Sequence, residues 1–393
     1  MTPVRYIHEA PDWPHLHCDL SSLGSLLARV HRKRGQLIGE ARGYDGHTRT
    51  LEFAQAITSD VISSSRIEGE HLPHPEVYSS VAWRLGLDEG GLPPAARYLD
   101  GVVDMTLDAV RHHQEPLTAD RLWHWHHLLF PSGYSGGERI DVGGWRTDLH
   151  GPMQVVSAHH DPQRRKVYFQ APEAARVPAE MQTFFTWVNT EQGLDPVVKA
   201  ALAHLHFLTI HPFEDGNGRI ARAISNLLLS RADGQAERYY SLSQIIESRK
   251  AGYYTMLSRT QAQRSLDVTP WVQWFLEAVE GALDEAQRHL DLVRVKHDVL
   301  QAVPDLNERQ RSFLARVFAG WDGKLSSQKY ARMHGVSADT ALRDLSDLVA
   351  RGVLVRTGEG RGVRYLVPVP DLGRALVERA PEQFMLKLDG SGE

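Results

Sequence analysis

The sequence predicts a mainly α-helical protein: a helical bundle that carries one β-hairpin, followed by a smaller domain of helix, turn, helix and hairpin. Three observations lead there. Apolar residues recur at helical spacing along most of the chain, as in Val198, Leu202, Leu205 and Leu208 and again in Ile220, Ile224, Leu227 and Leu228. Through the main body only two short runs read as strands, 153–157 and 166–169, parted by a polar tip. Near the C-terminus the turn His334-Gly335-Val336-Ser337 separates two short helices ahead of the strand-like runs 352–355 and 363–367.

At 393 residues the chain is too long for one ordinary core. The expected division is a helical extension over 1–45, a main helical domain over 46–298, the helix-turn-helix domain over 299–370 and a tail over 371–393. An apolar content of 42% and a charged content of 24% are those of a soluble globular protein. The net charge of −5 gives no overall bias towards nucleic acid or acidic membrane surfaces. One cysteine, Cys18, cannot form an internal disulfide, which suits a reducing cytosol. The N-terminus lacks the apolar core of a secretory signal, and no apolar run is long enough to span a bilayer, so a cytoplasmic protein without membrane association is expected. The 21 histidines are scattered, and His204 and His206, two apart on a predicted helix, face different sides. No zinc site is expected there.

In chain order, Leu23, Leu26, Leu27 and Val30 mark a first helix over 21–34, with Gly35 as its stop and Trp13 expected to pack on its apolar stripe. A second helix runs from about 50 to 68 and ends in Ser64-Ser65-Arg66-Ile67-Glu68-Gly69. Ser64 and Glu68, four apart, share a face, and Gly69 is placed as a C-terminal cap. Further helices follow up to Pro131, with Thr118 capping the one that carries Leu122, Trp125 and Leu129. A glycine-rich loop over 133–144 leads to Trp145-Arg146. The hairpin over 153–170 stands far from any other strand, and a two-stranded ribbon is marginal alone. Its edge is suited to hold an extended peptide by strand addition. After the central helices, one helix from about 242 to 263 carries Tyr253, Tyr254 and Gln261, and a long one opens at Pro270.

The densest chemistry lies in His211-Pro212-Phe213-Glu214-Asp215-Gly216-Asn217-Gly218-Arg219-Ile220-Ala221-Arg222. It joins two apolar helical segments, so Gly216-Asn217-Gly218 sits where the second helix begins. Glycines there let backbone N–H groups close on an anion, and the helix N-terminus adds positive potential. Arg219 and Arg222 share a helical face and can reach successive phosphates. Asp215 is a hard oxygen ligand beside that cradle, as a phosphate-bound Mg²⁺ needs. His211 titrates near neutrality and can accept a proton from a hydroxyl. Phe213 reads as an anchor beneath the loop. Together these parts describe transfer from a nucleotide to an alcohol.

The stretch resembles the signature of Fic-domain proteins, His-x-Phe-x-Asp/Glu-Gly-Asn-Gly-Arg-x-x-Arg, at every specified position. The resemblance is strongest from about 50 to 263 and makes the expected fold a Fic helical bundle with a β-hairpin flap, within a Fic catalytic domain over 46–298. It implies a protein adenylyltransferase that moves AMP from ATP, with Mg²⁺, to a hydroxyl of a target protein, self-modification included. His211 would be the base and Asp215 the metal ligand. Gly216, Asn217, Gly218, Arg219 and Arg222 would hold the phosphates, with Asn217 and Arg219 on phosphate oxygens. It further implies that Ser64, Glu68 and Gly69 end an inhibitory helix whose Glu68 pairs with Arg222. Val155, Val156, Ser157 and Ala158 match the active edge of the family's flap, where the target would bind, and Tyr253, Tyr254 and Gln261 match its nucleoside pocket.

The same site is compatible with hydrolytic removal of AMP or with another donor, such as UMP, phosphocholine or phosphate. A non-enzymatic alternative is a DNA-binding regulator whose Fic unit senses nucleotide. The C-terminal elements resemble a winged helix, yet 301–370 holds only eleven Lys/Arg against seven Asp/Glu. Asp339, Asp344 and Asp347 on the would-be recognition helix oppose phosphate contact, which favours protein docking or a homodimer over DNA.

Overall fold

In the computed structural model the described residues are 5–87, 97–149, 151–156, 167–303, 305–318, 325–358 and 363–367. The chain divides into two compact units, 1–286 and 287–393.

The first unit is built around two helices that are buried on nearly all sides. Helix α7 (Pro196–Ile210) is buried at nearly every position, and α8 (Asn217–Asp233) at most of its own, so both belong inside a bundle. Loop 211–216 joins them, and they pack on each other. Around this pair lie α2 (Gly46–Ile67), α4 (Arg97–Arg111), α5 (Ala119–Leu129), α6 (Val177–Thr190) and α9 (Leu242–Ser248). Helix α3 (His74–Leu85) packs on α2 and α4. Helix α10 (Lys250–Gln261) follows α9, and α11 (Thr269–Ala302) seats the buried Trp271 on α7, its indole N–H donating to Ala201 O at 2.8 Å.

Helix α1 (Leu20–Ala41) runs past Gly35 instead of stopping there. A mid-helix glycine costs about 1 kcal/mol. The buried Leu37 and Ala41, with the bond from Arg34 Nε to Asp233 at 2.7 Å, offset that cost. The Trp13 ring meets His206 edge-on and its N–H donates to Glu180 at 3.1 Å. The expected helix over 242–263 is broken at Arg249 into α9 and α10. The two pieces have different duties: α9 packs on α2, whereas α10 turns Tyr253 and Gln261 towards α7.

The glycine-rich loop over 133–144 folds into a small antiparallel pair, β1 (Tyr134–Ser135) and β2 (Glu138–Arg139). The longer hairpin is β3 (Gln154–Val156) against β4 (Val167–Gln170), with Val155 opposite Phe169 and a register shift after Val155. Phe169 is buried against Tyr6 of the N-terminal turn. Ser157, Ala158, the hairpin tip and the tail over 371–393 lie outside the described residues.

The second unit holds α12 (Glu308–Phe318), α13 (Ser327–His334), α14 (Ala338–Ala350) and the antiparallel pair β5 (Val355–Thr357) and β6 (Arg364–Leu366). Phe313, Tyr330, Leu345, Leu348 and Tyr365 centre its core. Asp344 is buried here, accepting from Arg309 Nε at 2.9 Å and the Tyr330 hydroxyl at 3.0 Å, and Asp347 accepts from Gln310 and Arg351. Both carboxylates are therefore used within the unit.

Candidate functional site

The loop between α7 and α8 is held in shape by its own side chains and by three neighbours. Helix α7 ends at His211, whose φ of 52° is the only positive value on a described residue other than glycine. That conformation costs a β-substituted residue energy and persists where surroundings enforce it. Arg146 enforces it here: its backbone N–H donates to Pro212 O at 2.9 Å and its Nε to His211 O at 2.8 Å. The rest of this buried guanidinium reaches Asp148 and Pro172 O, at the two roots of the β3–β4 hairpin.

Beneath the loop Phe213, fully buried, stacks on His126 with ring centroids 4.2 Å apart. His126 Nε2 donates to Asp215 O at 3.2 Å, and burial lowers its pKa to about 4. Asn217 was expected to reach a phosphate oxygen, but its side chain braces the loop, accepting from Phe213 N–H at 3.0 Å and donating to Phe213 O at 2.8 Å. Ser135 of β1 donates to Asp215, whose other carboxylate oxygen accepts Gly216 N–H at 2.6 Å. Arg146, His126 and Ser135 escaped the sequence reading. The only local signal was a Trp-Arg pair closing a glycine-rich loop.

His211 is the candidate base. Its Nδ1 donates to Leu208 O at 3.2 Å, since a carbonyl can only accept, and this leaves the Nε2 lone pair free. Burial lowers the imidazole pKa to about 4, against the raising effect of the Leu208 bond. The ring is thus neutral at physiological pH. Gln261 Nε2 shares the Leu208 carbonyl at 3.3 Å, which places that side chain beside His211.

Helices α2 and α8 run antiparallel, and polar groups spaced four apart meet along the contact. Asp60 accepts from Asn226 Nδ2 at 2.7 Å and from the Ser241 hydroxyl at 2.7 Å. One turn on, Ser64 receives Arg222 twice, Nε on its hydroxyl at 2.8 Å and Nη2 on its carbonyl at 2.9 Å. One turn further Glu68, the C-cap residue of α2, accepts from Arg222 Nη2 at 2.8 Å. Gly69, at φ 90°, turns the chain away. Burial, the largest single influence, disfavours the charge on Arg222, but Glu68 with Tyr253 and Tyr254 raises the pKa on balance.

The Glu68 carboxylate lies over the first turn of α8. A Cβ on Gly218 would collide with its Oε1 and would stand 3.2 Å from Arg222 Nη1. That Nη1 is buried without a hydrogen-bond partner, as is Arg219 Nε. The unsatisfied Arg222 donor beside Gly218 is of the kind that an oxyanion site offers.

Tyr253 is fixed by a chain of buried bonds. Ser225 donates to Ala221 O at 3.0 Å, so it accepts from His204 Nδ1, and His204 Nε2 then accepts from the Tyr253 hydroxyl; both histidine bonds are 2.8 Å long. Tyr254 lies tilted against Tyr253, ring centroids 5.2 Å apart, and is part-exposed, and burial with the nearby Glu68 charge raises its pKa to about 12. The structure thus gathers His211, Asp215, Gly216, Asn217, Gly218, Arg219, Arg222, Ser64, Glu68, Tyr253, Tyr254 and Gln261 around one loop. Val155 and Val156 sit on β3, rooted through Arg146 beside His211.

Comparison with known proteins agrees with this geometry. Residues 116–229 match the Fic/DOC family, and residues 6–87 match a domain of unknown function, DUF4172. The protein adenylyltransferase Fic of Drosophila mojavensis is 39% identical over 106 residues, which are 26% of this chain and 19% of that protein. Its counterpart in Drosophila virilis is 32% identical over 149 residues, 33% of this chain and 29% of that protein. The chain thus matches less than a third of the length of these curated relatives. Among solved structures, a Fic family protein from Desulfovibrio desulfuricans G20 aligns over 90% of this chain and 98% of its own, with a TM-score of 0.53 and 22% identity. The fold is therefore the Fic fold, and the match to the Fic/DOC family over residues 116–229 takes in the loop, all of α7 and most of α8.

Proposed function

We propose that the protein transfers AMP from ATP to a hydroxyl side chain of a target protein, and that Glu68 restrains this activity. The observation that carries the reading is the Glu68 carboxylate on Arg222, over the Gly218 cradle, where a phosphate oxygen of a nucleotide would lie. In the transfer, the target hydroxyl oxygen bonds to the α-phosphorus as the bond to the bridging oxygen of the β-phosphate breaks. The hydroxyl proton passes to His211 Nε2 and pyrophosphate leaves.

The chain's part is alignment and charge neutralisation, which carry most of the rate in phosphoryl-type transfers. Backbone N–H groups at the start of α8, with Arg219 and Arg222, hold the phosphates. Tyr253, Tyr254 and Gln261 line the nucleoside side, and Val155 and Val156 of β3 offer an edge to an extended target segment. Asp215 is the residue that would hold Mg²⁺, a hard carboxylate just ahead of α8. Bound there, the ion would neutralise phosphate charge.

The test is mass spectrometry of the Glu68→Gly protein after incubation with ATP and Mg²⁺. The expected product, on this chain or an added target, is heavier by one AMP and is absent when His211 is also replaced by Ala. A product carrying phosphate alone, or none at all, would refute the reading.

A further inference from the structure

Beyond the end of α2, Gly69 and the bond from Glu70 N–H to Ser65 O at 3.0 Å curl the chain back towards α8. A second carboxylate thereby reaches the loop. Both Glu70 oxygens accept from Arg219 Nη1, at 3.0 and 2.9 Å. Arg219 is 4% exposed, its guanidinium lies 5.0 Å from the Phe130 ring centroid, and its Nε has no partner. Both arginines expected on phosphates are thus held by acids two residues apart in one short turn.

We propose that Glu70 is a second lock on the site, occupying the phosphate position of Arg219 as Glu68 occupies that of Arg222. The proposal rests on the nucleotide-transfer reading above and extends it, because a ligand must displace two carboxylates and not one. The two contacts differ in strength. Glu70 keeps 48% of its side chain exposed and Glu68 30%, so the Glu70 pair is the more screened by salt and opens first. Residues 6–87, matched only to a domain of unknown function, thereby gain a role as the element that closes the site.

The test is calorimetric binding of ATP and of inorganic pyrophosphate to the full chain in four forms: unchanged, Glu70→Gln, Glu68→Gly and the double variant. Glu70→Gln should tighten both ligands by about two- to fivefold, and should do so again on top of Glu68→Gly. The gain should shrink towards none at roughly 1 M salt, where exposed pairs are screened. A purely structural Glu70 would instead lower the unfolding midpoint without an affinity gain. If Glu68→Gly tightens ATP and Glu70→Gln changes neither ligand, the second lock is overturned while the transfer reading stands. If no form binds ATP, both fall.

Discussion

At the scale of single residues, the site depends on side chains whose hydrogen bonds leave one atom free. His211 gives its Nδ1 proton to Leu208 O and keeps Nε2 open. Because the pKa is about 4, kcat/KM for transfer should stay flat as pH falls from about 8 to 6, declining only as protonation near 4 removes the acceptor. An acid limb centred near 6.5 in a pH–rate profile would contradict this. Asn217 closes a buried bond pair with Phe213, so Asn217→Ala leaves two backbone groups orphaned, at about 1–3 kcal/mol each. The expected result is a lower thermal midpoint together with lost transfer, checked by calorimetry and labelled ATP. These residues were legible because His211 to Arg222 is contiguous and each type has an obvious chemistry. The part played by Asn217 was not, because an amide beside two glycines reads equally well as a ligand contact or as a brace. Arg146 and Glu70 were hidden for another reason: their partners lie 65 and 149 residues away.

At the scale of elements, the proposed restraint makes α2 a lever against α8. The steps Asp60–Asn226, Ser64–Arg222 and Glu68–Arg222 set its register, and Arg66 adds a pair with Glu247 of α9 at 2.9 Å. Loosening the far end should therefore release the near end. Asp60→Ala removes the acceptor of Asn226 Nδ2, of the Ser241 hydroxyl and of Ser243 N–H, so the prediction is a less stable protein with faster basal transfer, read by thermal unfolding and by incorporation of labelled AMP. Loss of stability with no rise in transfer would detach the lever from the site. The pairing of Ser64 with Glu68 on one face could be read from spacing alone, since four residues make about one turn. The extent of α1 and the break between α9 and α10 could not. Gly35 is a sound stop signal until Leu37 and Ala41 find a core to enter, and Arg249 divides a continuous pattern because its two halves serve different neighbours.

At the scale of the whole molecule, the first unit buries several imidazoles. His126 and His211 have pKa values lowered to about 4, and His204 and His206 to about 3, in each case chiefly by burial. The unfolded chain binds these protons near 6.5 and the folded one does not. Stability is thus present above about 6.5 and is lost progressively as pH falls towards the folded values. His206 packs against Trp13 and Phe184 with Nε2 unpartnered, so His206→Phe should reduce the drop in unfolding midpoint between about pH 7 and pH 5. An unchanged slope would assign the acid sensitivity elsewhere. The helical class and the isolated hairpin were legible because they follow from periodicity. The β1–β2 pair was not, because two-residue strands in a glycine-rich loop have no period to read.

The central claim is that Glu68 withholds Arg222 from the nucleotide. Its most direct test is the rate of AMP transfer from labelled ATP by the unchanged protein and by Glu68→Gly under identical conditions. A charge-assisted contact of about 1.5–3 kcal/mol predicts a rise of roughly tenfold to hundredfold in the variant. Equal rates in the two proteins, with both folded and His211→Ala inactive, would contradict the account.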